Sequence, residues 1–409
     1  MFLPALIRRN QRFVDAVIQF HQRGELPANA YVLDLDTIEA NTRLVVREAH
    51  RHRLTAYAMT KQIGRAPEAL AAITAGGIDG YVAVDMACAH PIVANGHRLG
   101  HLGHLVQVPR HEAALAASYE PEHWTVFTRG KIREVSEAAT AIGRNQPLLL
   151  RVFADGDRFY PGHEGGFPVH ELMSVLELVD SLPGVSFAGL TTFPALLFDQ
   201  STGTVGATPN LATMVGAVEK LAAAGISDVV VNAPGTTSSS VLATLASMGA
   251  TQVEPGHGLT GTTPLHALSD LPEIPAVLYV SEVAHIHQGR PYVYGGGLYI
   301  DPVFSEYPLD ALVSRESANT GHLVPATIPD RSMIDYYAQL HPTDGPATAR
   351  PEEGDTVVFG FRCQAFVTRA LVAGVSGLHT GRPTVSGIWT SDGRPLDRHQ
   401  SRDTRGSHS

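Results

Sequence analysis

The chain has 409 residues, 44% of them hydrophobic, and a formal net charge of −10. That is enough apolar material for two domains, or one large barrel with an appendage, and too much for a disordered chain. The negative charge argues against nucleic acid or an anionic membrane as the main partner.

Cys88 and Cys363 are the only cysteines, so no disulfide framework exists and a cytoplasmic location is expected. No stretch reaches the roughly 18 apolar residues of a membrane span. The opening "MFLPALIRRNQRF" places its charges after its apolar residues, the wrong order for a signal peptide. Residues 1–54 read as a helical lead-in, and "AYVLDLDTIEAN" within them reads as a strand lent to a later β domain.

Residues 55–265 alternate short apolar runs with helical patterns. The runs are "TAYAMT", "IDGYVAV", "GHLVQV", "HWTVFT", "PLLLRVF", "VSFAGLTTF", "SDVVVNA" and "ATQVE". Ala- and Leu-rich segments separate most of them, among them "PNLATMVGAVEKLAAAG", which ends on a glycine cap at Gly225. Near-continuous apolar strands joined by helices imply a parallel sheet, and eight units predict an α/β fold of the (β/α)8, TIM-like type. No Gly-x-Gly-x-x-Gly follows the first strand, which weakens a dinucleotide-binding reading. From 266 to 396 Pro, Gly and β-branched residues rise and the strand-like runs lack intervening helices, predicting a C-terminal β domain. The polar tail 397–409 is expected to be disordered.

Chemistry in such a barrel sits where strands end. Those ends carry Lys61, Arg129, Arg151, Phe193 and the loops "NAPGTTSSS" (232–240) and "EPGHGLTGTTP" (254–264). Lys61, Lys131 and Lys220 are the only lysines. The last two fall in helical patterns, whereas Lys61 ends an apolar run in "YAMTKQIGR". A partly desolvated amine there can act as a Schiff-base nucleophile; a surface lysine in an ordinary loop is the plain alternative. The two hydroxyl-rich loops follow the last two strands, where backbone N–H groups cradle phosphate, although each alone also reads as ordinary turn chemistry. Glu254 ends the eighth strand, where it pairs either with a ligand cation or with an arginine such as Arg151. An amine, a phosphate cradle and a carboxylate on one face are what pyridoxal 5′-phosphate requires.

These residues resemble the fold-type III pyridoxal-phosphate enzymes, which include alanine racemases, ornithine and diaminopimelate decarboxylases and D-serine dehydratase-like proteins. "YVLDLDTIEAN", "YAMTKQIGR" and "EPGHGLTGTTPLHA" are most similar to its YhfX-like branch, over roughly residues 29–390. The resemblance implies that Lys61 carries the cofactor and that Arg151, Phe193, Asn232, Gly235, Thr236, Thr237, Glu254, Gly256, His257, Gly258 and Thr260 surround it. Phe193 departs from the family, whose racemases place a ring-stacking histidine there; a phenyl ring still stacks but makes no hydrogen bond. At Glu254 the racemases carry arginine and the decarboxylases glutamate, which favours a protonated ring nitrogen and a stronger electron sink.

The resemblance also implies a second acid/base from the β domain, crossing from the partner subunit of a homodimer. Tyr294 in "YVYGGGLY" matches the racemase tyrosine, and Cys363 in "FGFRCQAF" the decarboxylase cysteine. A core tyrosine and a buried small hydrophobe are the respective plain readings. His285 and His287 in "HIH" read as lining the substrate mouth, and no metal is expected. The expected activity is that of an amino-acid racemase; a decarboxylase or D-amino-acid lyase, a non-catalytic cofactor-binding protein and a phosphosugar barrel are the alternatives.

Overall fold

The protein is described from a computed structural model, which covers residues 2–299, 308–330, 332–342, 350–362 and 364–396. Its parallel barrel contains the strands Gly80–Ala83, Arg98–Leu102, His123–Val126, Gln146–Phe153, Val185–Thr191, Val230–Asn232 and Gln252–Val253. The first barrel strand runs in two pieces, Thr55–Ala56 and Ala58–Met59. The first piece pairs with Gln252–Val253 and the second with Gly80–Ala83. Tyr57 between them donates its N–H to the Val253 carbonyl at 3.0 Å, so the barrel closes with eight strands. Gly80 and Gly100 face the Tyr57 ring so closely that a Cβ on either would lie 2.5 or 2.6 Å from its Cδ1. Only glycine leaves room for that ring.

One predicted strand is misplaced. The third does not lie over "GHLVQV" but five residues earlier, at Arg98–Leu102, and Val106 within the expected run is 50% exposed. Packing decides here over propensity: Gly100 is admitted because Tyr57 needs the space.

Helices such as Arg129–Ala141 and Pro209–Ala223 cover the barrel. The latter ends before Gly225, whose φ of 82° is the left-handed geometry glycine adopts freely. Helix Leu35–Arg51 leads into the first barrel strand and is capped by Asp34, which accepts from the Thr37 N–H at 2.9 Å.

The second sheet is antiparallel for most of its course. Six of its strands close on themselves in the order Arg290–Tyr294, Tyr337–Leu340, His322–Thr327, Asp310–Ser314, Thr356–Phe359 and Val277–His287. Ala30–Asp34 joins this sheet, antiparallel to Val277–His287 and parallel to Leu371–Ser376. The helices Leu3–Arg9 and Gln11–Gln22 pack on its outer side, burying Leu6, Phe13, Val14, Val17 and Ile18 beside Val280 and Val358. Each such side chain contributes roughly 1.5–3 kcal/mol. No helix among the described residues is long and apolar enough to cross a membrane.

Candidate active site

Lys61 opens a single 3-10 turn, Lys61–Ile63, directly after the first barrel strand. The turn ends on Gly64 at φ 58°, where a Cβ would stand 2.5 Å from the Val372 side chain. It packs against the turn Ala365–Val367, and Arg65 donates to the Ser391 carbonyl at 2.8 Å. The β domain thus braces the lysine loop from one side.

Lys61 lines a cleft of about 630 Å³, its open mouth included. Gly235, Thr236 and Thr237 line it from the seventh strand, and Glu254, Gly256 and His257 from the eighth. The two loops touch, since a Cβ on Gly258 would lie 2.4 Å from the Thr237 carbonyl oxygen. A hairpin, Leu196–Asp199 and Thr204–Ala207, stands over the first loop, with the Ala195 N–H donating to Pro234 at 2.8 Å. Beneath the loops, Glu273 accepts from the Ser239 N–H at 2.6 Å and faces His266, whose ring contacts the Thr263 hydroxyl at 2.7 Å. That buried pair ties both loops together.

Glu254 is buried at the barrel mouth. Its Oε1 is bonded to Nδ1 of His101 and accepts from Asn232 Nδ2 at 2.9 Å, while its Oε2 has no hydrogen-bond partner. Burial alone would raise its pKa; the imidazoles of His104 and His101 and the bonds from His101 and Asn232 outweigh that and hold it at about 2. His104 is 1% exposed, and burial lowers it to about 3. Its Nε2 lies 3.5 Å from Glu254 Oε2. Burial, with the nearby charges of Arg362, Lys61 and His266, also pushes His257 well below the usual imidazole range.

Phe193 lines the cleft, with its ring 5.5 Å from that of His104 and 5.8 Å from that of Tyr160. Arg151 is buried behind it, between Phe127 and Phe159, and donates to the carbonyls of His163 at 2.7 Å and Phe193 at 3.3 Å. It supports the wall and does not line the cleft, and it makes no ion pair with Glu254. Thr260 also lies behind the lining; its hydroxyl donates to the His257 carbonyl at 3.3 Å.

Tyr294 is 39% exposed on the β domain and does not line its own chain's cleft; its ring lies 6.0 Å from Tyr337. Cys363 lies outside the described residues, but its neighbours Arg362 and Gln364 line the cleft. His285 does not line the mouth as expected: its ring stacks on Tyr292 at 4.7 Å, and the next imidazole, His287, is exposed. Besides His257, the site has His101 and His104, which the misplaced third strand concealed, and Tyr160 is a further lining residue that no motif announced.

The residues present fit pyridoxal phosphate. The cleft offers one amine, two abutting loops rich in glycine and threonine, and a buried ionised carboxylate with one oxygen unsatisfied. A protein so built is a barrel enzyme of the lysine-anchored cofactor class. Comparison identifies which. Residues 33–264 match the alanine racemase N-terminal domain and residues 278–385 the YhfX-like C-terminal domain. A relative from Escherichia coli (strain K12), "Uncharacterized protein YhfX", is 40% identical over 396 residues, covering 97% of this chain and 100% of that one. The chain therefore belongs to the YhfX-like branch of the alanine racemase family, the fold-type III pyridoxal-phosphate enzymes.

Solved structures share the fold at low identity. D-threonine aldolase from Filomicrobium marinum superposes with a TM-score of 0.67 at 19% identity, over 90% of this chain and 96% of that one. D-threo-3-hydroxyaspartate dehydratase from Delftia sp. HT23 gives 0.66 at 16%, over 90% and 97%. Alanine racemase from Clostridium difficile 630, in complex with cycloserine, gives 0.60 at 13%, over 90% and 99%.

Proposed function

We propose that the chain is a pyridoxal-phosphate enzyme that acts at Cα of an amino acid, and that it is an amino-acid racemase. The observation that carries this reading is Lys61 in one cleft with the two phosphate-type loops and Glu254. Nζ of Lys61 would hold the cofactor until the substrate amine displaces it and frees the lysine amine, and the cofactor would supply an electron sink for the pair left at Cα.

The chain's own groups do the rest. The loops at 235–237 and 256–258 hold the phosphate, and Phe193 offers a flat apolar wall for the ring. Glu254, kept ionised, offers Oε2 as acceptor for a ring N–H. Nζ of Lys61 takes or returns the Cα proton on one face. The Tyr294 hydroxyl of a second copy serves the opposite face, which requires a head-to-tail dimer. Arg362, a cation on the cleft wall, receives the substrate carboxylate.

A second reading, a lyase of the same fold, is favoured by Glu254: a protonated ring nitrogen stabilises carbanions that go on to lose a group. Incubation with single L- and D-amino acids in deuterated water separates the two. Racemisation yields the deuterated enantiomer, decarboxylation an amine and carbon dioxide, and elimination a keto acid and ammonia. Absence of Cα exchange with every amino acid, in protein that has taken up pyridoxal phosphate through Lys61, would overturn both.

A further inference from the structure

His104 carries an inference that rests on the pyridoxal-phosphate reading and goes beyond it. The side chain is almost fully buried, lines the Lys61 cleft, and has no hydrogen-bond partner on either ring nitrogen. Leaving buried polar atoms unsatisfied is costly, and proteins keep such atoms where a ligand completes them. Oε2 of Glu254 is likewise unsatisfied, 3.5 Å from His104 Nε2. The open bonding capacity at this corner thus belongs to one carboxylate oxygen and one imidazole.

His101 does not share it. Its Nδ1 is bonded to Glu254 Oε1 and its Nε2 lies 2.5 Å from the Thr125 hydroxyl. This relay, with Asn232 on the same oxygen, fixes the carboxylate so that only Oε2 remains to be filled. A metal ion is a weaker occupant. Donor atoms of His101, His104 and Glu254 do lie within 4.8 Å of one another. Yet both nitrogens of His101 and one oxygen of Glu254 are already engaged, which leaves two ligands where a bound ion wants three or four.

We propose that His104 is a cofactor-binding residue: with Oε2 of Glu254 it forms the polar edge that reads the ring nitrogen of the pyridine and favours its protonated form. The charged and titratable groups around it are Glu254, His101, Arg151 and Lys61. Of these Glu254 alone is an anion, so the ring proton is shared on its side. His104 then serves as the neutral neighbour whose N–H or lone pair adjusts to the ligand.

The test uses the full-length protein, freed of cofactor, and two ligands: pyridoxal 5′-phosphate and its 1-deaza analogue, in which a C–H replaces the ring nitrogen. Dissociation constants and the visible absorbance of bound ligand are measured for wild type, His104→Leu and His104→Gln. Wild type should prefer the natural cofactor by roughly tenfold or more, the worth of about one charge-assisted hydrogen bond. His104→Leu should shrink that preference severalfold and shift the absorbance band of the natural ligand. His104→Gln, which keeps an amide at similar reach, should restore part of both. A purely structural role would weaken the two ligands equally and leave the ratio unchanged, and that result overturns the proposal. Stoichiometric zinc held by cofactor-free wild type and lost in His104→Leu overturns it as well. If wild type binds neither ligand, the cofactor reading itself fails, a distinct outcome.

Discussion

The side-chain amide of Asn232 donates to Oε1 of Glu254 at 2.9 Å, and its own oxygen accepts from the Thr191 hydroxyl at 2.7 Å. The ends of the sixth, seventh and eighth barrel strands are thereby joined below the cleft. All three side chains are buried, so the geometry tests its own electrostatics. Asn232→Asp keeps the shape but sets a second carboxylate against Glu254 in a dry site. One of the two must then titrate above the usual carboxylate range. Because that folded pKa is raised, the variant is destabilised at neutral pH and recovers as pH falls through the raised value. Denaturant midpoints should give a loss of about 3 kcal/mol at pH 7, visibly smaller at pH 5. Asn232→Ala should cost about 1–3 kcal/mol with no such recovery.

Arg362 differs from Arg129, Arg315 and Arg369 by its place on the cleft wall. Arg129 donates to Glu171 at 3.3 Å, Arg369 pairs with Asp335 at 3.1 Å, and Arg315 is held by Glu352 and Asp355. Only Arg362 among these lines the cleft. Arg362→Ala is therefore expected to raise KM for the amino acid roughly tenfold to a hundredfold, with cofactor affinity nearly unchanged. Lysine at this position should recover part of the loss, because a point charge lacks the planar fork. Steady-state kinetics beside cofactor titrations check this, with Arg129→Ala as an unaffected control. Loss of cofactor instead of substrate would assign Arg362 to the phosphate.

Much of this site is legible in the sequence because barrel strands announce their own ends. Lys61, Phe193, Asn232 and Glu254 each close an apolar run, and the (β/α)8 order alone puts them on one rim. The third strand defeated that reading. "HLVQV" looks more like a strand than "RLGHL", yet the barrel takes the latter because Gly100 accommodates Tyr57. With the strand expected at 103–108, His104 falls at its start and His101 before it, so neither reads as a residue of the strand's rim. Tyr160 was hidden for another reason. It sits in the glycine-rich segment after the fifth strand, whose path over the barrel mouth is set by contacts such as Arg151 to the His163 carbonyl. Such long-range contacts leave no periodic signal.

Tyr294 is exposed and does not line its own cleft, which makes its proposed role a property of pairs of chains. Lys61→Ala and Tyr294→Phe homodimers should each retain under about 1% of activity, removal of one acid/base being worth 10²–10⁴-fold. Mixed and re-equilibrated in equal amounts, half the dimers become hybrids, and each hybrid holds one intact site. Activity should then return to about a quarter of wild type. No recovery, in a mixture shown to contain hybrids, would exclude a shared site.

The buried and half-buried histidines predict how the fold responds to acid. His21, His97, His104, His123, His163 and His257 all have pKa values lowered, in each case first by burial, and His104 reaches about 3. In the unfolded chain the same imidazoles take up protons near pH 6.5. Below that pH the unfolded state binds more protons than the folded one, so stability rises with pH up to about 6.5 and levels off above it. Each fully shifted histidine contributes up to about 1.4 kcal/mol per pH unit in this window. Glu254, held at about 2, works in the same direction: its contribution is complete above the ordinary carboxylate range and is lost as pH falls towards 2. Denaturant midpoints measured from pH 4.5 to 8 should therefore climb steeply to near 6.5 and then flatten. His104→Gln, which removes one refused proton, should lower the slope between pH 4.5 and 6 by about one proton's worth. A midpoint that stays flat across that range would contradict the holding of these imidazoles as neutral groups in the fold.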